Sequence, residues 1–253
     1  MSGRAYAYWV FQYRRTWRGS LVRSLVEPVL FLAAMGLGLG SLVNATAGGV
    51  GGVGYLQFVA PGLLAAVAMQ TAVGEATYPV MGAIRWNRQY HAMLATPLRV
   101  VDVLLGHLLW IATRVVGVSA AFLLVTAAFG VLHSPWALLA LPTALLVGLA
   151  FATPVIAFAA LQRNDSGFAL LYRFGVMPLF LFSGTFFPVD QLPASVRPLA
   201  YATPLWHGVE LTRALFLGSP RLGASLGHVG FLVGLAALGL ALAYRAFHRR
   251  LWQ

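Results

Sequence analysis

Cysteine is absent from the 253-residue chain, and so is lysine. The first absence excludes disulfides, thiolate metal sites and a cysteine nucleophile. The second excludes a nucleotide-binding P-loop, whose GxxxxGK[ST] pattern sets a lysine on the phosphates. If the chain takes part in ATP-driven work, the motor must be another polypeptide. Acid is scarce as well: Glu27, Glu75, Asp102, Asp165, Asp190 and Glu210 are the whole set, which leaves paired-carboxylate catalysis almost nothing to work with. Ser183 is followed by glycine, but Leu181 stands two places before it, so there is no GxSxG elbow. The histidines make no HExxH, and Leu211 occupies the place where His207 and Glu210 would need a second histidine for an HxxEH site. Neither a catalytic set nor a metal-ligating set is expected.

What the chain does have is apolar length. It is 60% hydrophobic and 9% charged, with a mean hydropathy of +0.80, where a soluble domain carries roughly 25% charge. An all-α polytopic membrane protein is the expectation. Seven tryptophans suit two interfaces to be anchored. The net charge of +11 is carried by arginine. Because those arginines lie between apolar runs rather than on one soluble face, no nucleic-acid partner is expected, and positive-inside topology is the better account.

Six runs reach the roughly 20 apolar residues that cross a bilayer: 24–43, 55–81, 101–132, 136–161, 168–187 and 226–244. The start is not a signal peptide, since it lacks a continuous apolar core. Trp9, Tyr13 and Trp17 recur at fours beside Arg14, Arg15 and Arg18, which predicts an interfacial amphipathic helix over 1–23. A frayed end of the first span is the alternative. Arginines cluster before the first span, at 85–99, in the loop holding Arg163 and in the tail at Arg245, Arg249 and Arg250, whereas the opposite side offers only Arg197, Arg213 and Arg221. Both termini are therefore expected in the cytoplasm of a multi-pass protein of the cell's inner or plasma membrane.

Four local features stand out. Gly36 and Gly40 in "GLGLG" form a GxxxG pair that allows close helix approach. Between the second and third spans, Trp86, Tyr90, Met93 and Leu94 make a helical stripe among Arg85, Arg88 and His91. That predicts a short helix along the membrane over 85–98, with or without a docking partner. Arg114 lies deep in the third span, where an unpaired arginine costs roughly 2.5–3.5 kcal/mol. Glu75 is the candidate partner by depth, so an ion pair or a polar path lined by Arg114 is expected. Finally, Pro188, Pro193, Pro198 and Pro204 forbid one continuous helix after the fifth span. Short amphipathic pieces nonetheless persist to about 225, which predicts either a re-entrant hairpin over 188–225 in the outer leaflet or an amphipathic loop lying on the outer surface.

The run "FLFSGTFFPVDQLPASVRPLAYATPLWHGVELTRALFLG", Phe180 to Gly218, resembles the signature of ABC type-2 transporter permeases. In that family an "SG.FFP...LP" stretch precedes "PL.H..E..R". "FPVDQLP" and "VVDVLLGHLLW" resemble the branch of nodulation protein J, the permeases of lipo-oligosaccharide exporters, and its daunorubicin-exporter relatives. The resemblance implies a dimer with a second permease copy or a paralogue, each half docked on its own ABC ATPase, two per complex. The ATPase would bind the ATP and Mg²⁺, and this chain would hold no cofactor. It also implies that Arg85, Trp86, Arg88, His91, Met93 and Leu94 belong to an ATPase-coupling helix. Phe182, Ser183, Gly184, Phe186, Phe187, Pro188, His207, Glu210 and Arg213 would build the exit hairpin beside membrane lipid. The branch usually has a glutamate where this chain has His91, so the charge at the motor contact differs here. The cargo implied is amphipathic, a lipid-linked saccharide or a drug-like molecule. From another class, an ion- or proton-coupled carrier would rest on Glu75 alone, and a non-transporting membrane scaffold is a third reading.

Overall fold

A computed structural model describes residues 1–132 and 134–251, with the side chains of Ser20, Leu21, Arg23 and Ala47 outside the description. The turn expected at His133–Pro135 thus lies partly outside the described residues. The described chain is helical, with no named strand. Helix α1 is Ser2–Tyr13. Among the described residues, five helices are long and apolar enough to cross a membrane: α2 (Trp17–Thr46), α3 (Tyr55–Trp86), α5 (Val100–Ala128), α6 (Pro135–Leu161) and α10 (Leu222–Leu251). Between them lie the short α4 (Gln89–Leu94), the 17-residue apolar α7 (Ser166–Phe182), α8 (Arg197–Tyr201) and α9 (Pro204–Phe216).

Most bounds move outward from the sequence expectations, but the third span, expected to 132, ends at Ala128 and the fifth, expected to 187, ends at Phe182, where apolar residues continue into turns. Hydropathy marks only the apolar middle of a helix, whereas backbone hydrogen bonding carries it through polar ends. So α2 absorbs residues from Trp17 that were assigned to the interfacial helix, which stops at Tyr13. Arg85 and Trp86 likewise belong to the last turn of α3 rather than to the short helix that follows.

Helix α3 is the axis of the bundle. It is buried along most of its length and packs on α5, α6 and α9. Small residues make this possible. A side chain at Gly208 of α9 would collide with Val147 of α6 and lie 3.6 Å from Ala65 of α3. On the other flank, α6 packs along α10, where Gly239 sits against Thr153 and Pro154. Close approach of this kind is what holds helices together where no water drives them apart from lipid. The Gly36/Gly40 pair serves the chain itself, since Gly36 faces Leu56 and Gly40 lies near Tyr55 at the start of α3.

Three helices contain a widened turn with i→i+5 bonding: α2 at Ala34–Leu39, α3 at Gly82–Trp86 and α7 at Leu171–Val176. Such turns release a helix from strict 3.6-residue register and recur at functional sites. Large apolar side chains on α2, α7 and α10, among them Leu30, Leu37, Phe174, Met177, Leu226 and Leu238, remain exposed. That is the pattern of helices whose outer faces meet lipid or another chain.

Candidate functional site

Polar side chains gather at two places along α3. The first begins on α5, where His107, Trp110 and Arg114 follow one another at helical spacing and so share one face. Arg114 Nε donates to Glu75 Oε1 at 3.1 Å, and Trp110 Nε1 donates to Glu75 Oε2 at 3.1 Å. Both carboxylate oxygens are thereby engaged. The guanidinium also donates to the Tyr13 hydroxyl at 3.0 Å and lies over that ring. One turn away, buried His107 bonds the Glu75 carbonyl through Nε2 at 3.0 Å. A carbonyl only accepts, so the proton is on Nε2, and Nδ1 accepts from the Tyr90 hydroxyl at 2.8 Å. Tyr90 is fully buried and packs on Phe247 of α10. Burial raises its phenol well above the usual range, which keeps it a donor. The chain of contacts therefore runs from α10 through α4, α5 and α3 to α1.

Helix α1 can reach this cluster because of Gly106. A side chain there would stand 2.5 Å from the Ala5 Cβ and 3.1 Å from the Ser2 carbonyl. With α1 seated so closely, Trp9 contacts the His107 ring edge-on and lies nearly parallel to Trp110.

Two cavities meet at the ion pair. One, of about 300 Å³, is a groove between α2, α3, α5 and α7, with Phe31, Gln70, Thr71, Val118 and Phe180 in its walls. The other, of about 360 Å³, lies among α1, the end of α3 and α5. Glu75 and Arg114 line both.

The second polar cluster lies at the opposite end of α3. Gly184 adopts φ +79°, a left-handed conformation that side chains resist, and the turn aims its carbonyl at Arg213, which donates at 2.7 Å. Arg213 also pairs with Glu210 one turn back at 2.8 Å and stacks on the Phe58 ring. The Thr203 hydroxyl donates to the Ala200 carbonyl, so its oxygen accepts from Ser183 at 3.1 Å, while also capping α9 through the Trp206 amide. Thr212 donates within the buried contact of α9 with Pro61 of α3. Phe186 packs between Phe31 and Phe180, while Phe187 packs with Val189, Leu192 and Ala200. Phe182 is exposed and Pro188 half-buried.

His207 bonds His228 of α10 through their Nδ1 atoms at 2.7 Å, with Phe231 stacked on its ring.

The residues of the expected coupling helix divide. Tyr90 is buried and Met93 and Leu94 are half-buried against the core, whereas Arg85, Trp86, Arg88 and His91 are exposed. Trp86 thus leaves the inward stripe to which its spacing assigned it, because it ends α3 and covers Gly82 instead. Arg88, the residue before α4, adopts φ +48°, a left-handed conformation uncommon outside glycine. Sequence reasoning left out His107, Trp110 and Tyr13 from this end of the molecule, and Thr203, Thr212 and His228 from the other. The His107–Trp110–Arg114 spacing inside an apolar run is the signal that could have found the first group.

Residues 5–217, which run from α1 through α9, match the ABC-2 type transporter family. The chain is 36% identical to nodulation protein J of Rhizobium leguminosarum bv. trifolii, over 96% of this chain and 94% of that protein. Against nodulation protein J of Rhizobium meliloti (strain 1021), identity is 32% with the same coverage. The inner membrane transport permease YadH of Escherichia coli (strain K12) is 24% identical over 83% of this chain and 80% of that protein. Matches of this length and identity, on a bundle of long apolar helices, identify a multi-pass inner-membrane protein: the chain belongs to the ABC-2 type transporter family.

Proposed function

We propose that the chain is the membrane-spanning permease subunit of an ATP-driven exporter that moves an amphipathic molecule out of the cytoplasm. The observation that carries this reading is the ion-paired, partly polar groove enclosed by α2, α3, α5 and α7 in an otherwise apolar bundle. A greasy cargo with a polar head needs such a lining, since polar groups inside a membrane face protein or a water-filled path. Six crossings follow if α7 spans together with the turn after it, with α8 and α9 as the re-entrant hairpin and the arginine-rich ends in the cytoplasm. Relatives named nodulation protein J support a lipid-linked saccharide as cargo, with a drug-like amphipath as the other member of the class.

The motor is a separate ABC ATPase holding ATP and Mg²⁺, two per dimer of permeases. Its docking surface is the exposed face formed by Arg85, Trp86, Arg88 and His91. Beside it lies a cavity of about 670 Å³ between the α4–α5 turn and the end of α10, walled by Leu94, Leu98, Tyr244 and Leu251. Closure of the ATPases would press on this surface and, through buried Tyr90 and His107, on Glu75. The proton-coupled alternative loses ground to the same geometry, because both oxygens of Glu75 are engaged.

In proteoliposomes, export by the wild type should require the co-reconstituted ATPase and ignore a proton gradient. Arg88→Ala and Trp86→Ala should leave expression and ATP hydrolysis intact while transport per ATP falls about tenfold, the scale of a typical coupling free energy. Wild-type coupling in both variants would remove this surface, at the α3–α4 junction, from the motor contact. Transport driven by a proton gradient without the ATPase would overturn the exporter reading itself.

A further inference from the structure

We propose that the cavity among α1, α3 and α5 is a binding site for an uncharged, ring-bearing head group, and that the Glu75–Arg114 pair is its floor and sets its charge preference. This inference rests on the exporter reading for the identity of its ligand as cargo, but the binding it describes is measurable without transport.

The walls give the chemistry. Exposed Trp86 and half-buried Tyr13 present aromatic surface to the cavity, backed by the buried, nearly parallel rings of Trp9 and Trp110. Aromatic planes hold flat rings or the apolar faces of sugars, and a volume of about 360 Å³ lies within the range of small-molecule sites. Gln89 lines the same cavity, and its Nε2 is shielded from water with no hydrogen-bond partner in the structure. A buried amide left unsatisfied costs about 1–3 kcal/mol. Its last torsion is soft, so a small rotation turns it toward a ligand hydroxyl or ring oxygen.

The floor gives the charge. Glu75 uses both oxygens on Arg114 and Trp110, and Arg114 is further held by Tyr13. An anionic or cationic head would have to break that pair to gain a partner, whereas a neutral head leaves it intact. The same two side chains line the groove on the far side, so whatever sits in the cavity rests against the partition between the two spaces.

The chain has no cysteine, so Gln12→Cys, at the cavity wall on α1 and away from the proposed motor surface, gives the permease a single labelling site. The permease with its ATPase is placed in lipid nanodiscs, and maleimide labelling is followed in the presence of four probes below their micelle-forming concentrations. Octyl glucoside, 4-octylphenol, octyl sulfate and octyltrimethylammonium share one chain, so differences between them report the head. Protection by either neutral probe is expected at about tenfold lower concentration than by either charged one, as uncompensated charge in a confined site is strongly disfavoured. Protection by the glucoside alone assigns a saccharide head, and protection by the phenol alone an aromatic one.

Glu75→Gln should raise protection by octyl sulfate about tenfold, and Arg114→Gln should do the same for octyltrimethylammonium, with neutral probes unchanged. Equal protection by all four probes in the wild type, or none, overturns the proposal whatever the variants do. Charge preference unchanged in variants that elute as the native complex overturns the role of the pair. Protection without ATP-dependent transport leaves the site standing and removes the exporter reading, and the reverse result removes the site alone.

Discussion

Reversing either charge of the Glu75–Arg114 pair should abolish transport and lower the yield of folded protein, and reversing both should recover much of each. Glu75→Arg sets two guanidiniums at the 3.1 Å contact that now joins opposite charges, in the middle of a 29-residue apolar helix. An unpaired arginine inside a span costs roughly 2.5–3.5 kcal/mol before like-charge repulsion is added. Arg114→Glu is destructive for the mirrored reason, since two carboxylates then face each other with one indole donor between them. The double reversal restores the attraction. It also keeps Tyr13, because a hydroxyl that accepts from a guanidinium can donate to a carboxylate instead. What the double variant does not recover is the bond from Trp110 to the residue-75 carboxylate, so rescue should fall short by about 1 kcal/mol. Thermal unfolding in detergent and ATP-dependent transport in proteoliposomes read the two effects separately. A double variant no better than the singles would mean that the pair is not what the two residues contribute.

How far the sequence reached can be judged from this pair and its surroundings. Arg114 and Glu75 were legible because the cost of an isolated charge in an apolar run forces a partner, and depth in adjacent helices leaves one candidate. Their other partners were not legible. Tyr13 comes from α1, and only the close seat at Gly106 brings it there, a packing fact that no period in the sequence encodes. Trp86 shows the converse error. Its spacing fits the stripe of Tyr90, Met93 and Leu94, but a widened turn at the end of α3 changes the register and turns it out. Registers shift where i→i+5 bonding intrudes, and hydrophobic periodicity assumes that they do not. In the hairpin, the prolines announced a break, yet the turn that gathers Gly184, Thr203 and Arg213 depends on one left-handed residue and on contacts across nearly 30 positions.

That turn is held by Arg213, and removing the arginine should have the largest effect of any single change in the hairpin. The side chain is mostly buried, donates to the Gly184 carbonyl at 2.7 Å, pairs with Glu210 and stacks on Phe58. Arg213→Ala strands the Gly184 carbonyl beside buried Ser183 and Thr185 and leaves the Glu210 charge without its partner. Glu210 is half-exposed and its charge is served by water, so the loss comes mainly from the stranded carbonyl, about 1–3 kcal/mol. Arg213→Lys keeps the charge but not the planar fork, so it can serve the Gly184 carbonyl or Glu210 but not both, and about half the loss should remain. Gly184→Ala attacks the same turn from the other side. Its φ of +79° disfavours any side chain, and the new Cβ would stand 3.1 Å from a Val189 methyl. The expected cost is smaller, about 1–2 kcal/mol, because the arginine still finds its carbonyl. Limited proteolysis between α7 and α9, together with thermal unfolding in detergent, should rank the variants as Arg213→Ala, then Arg213→Lys, then Gly184→Ala. An Arg213→Ala variant that resists protease and heat like the wild type would show that the apolar contacts of α9 with α3 and α6 hold the hairpin unaided.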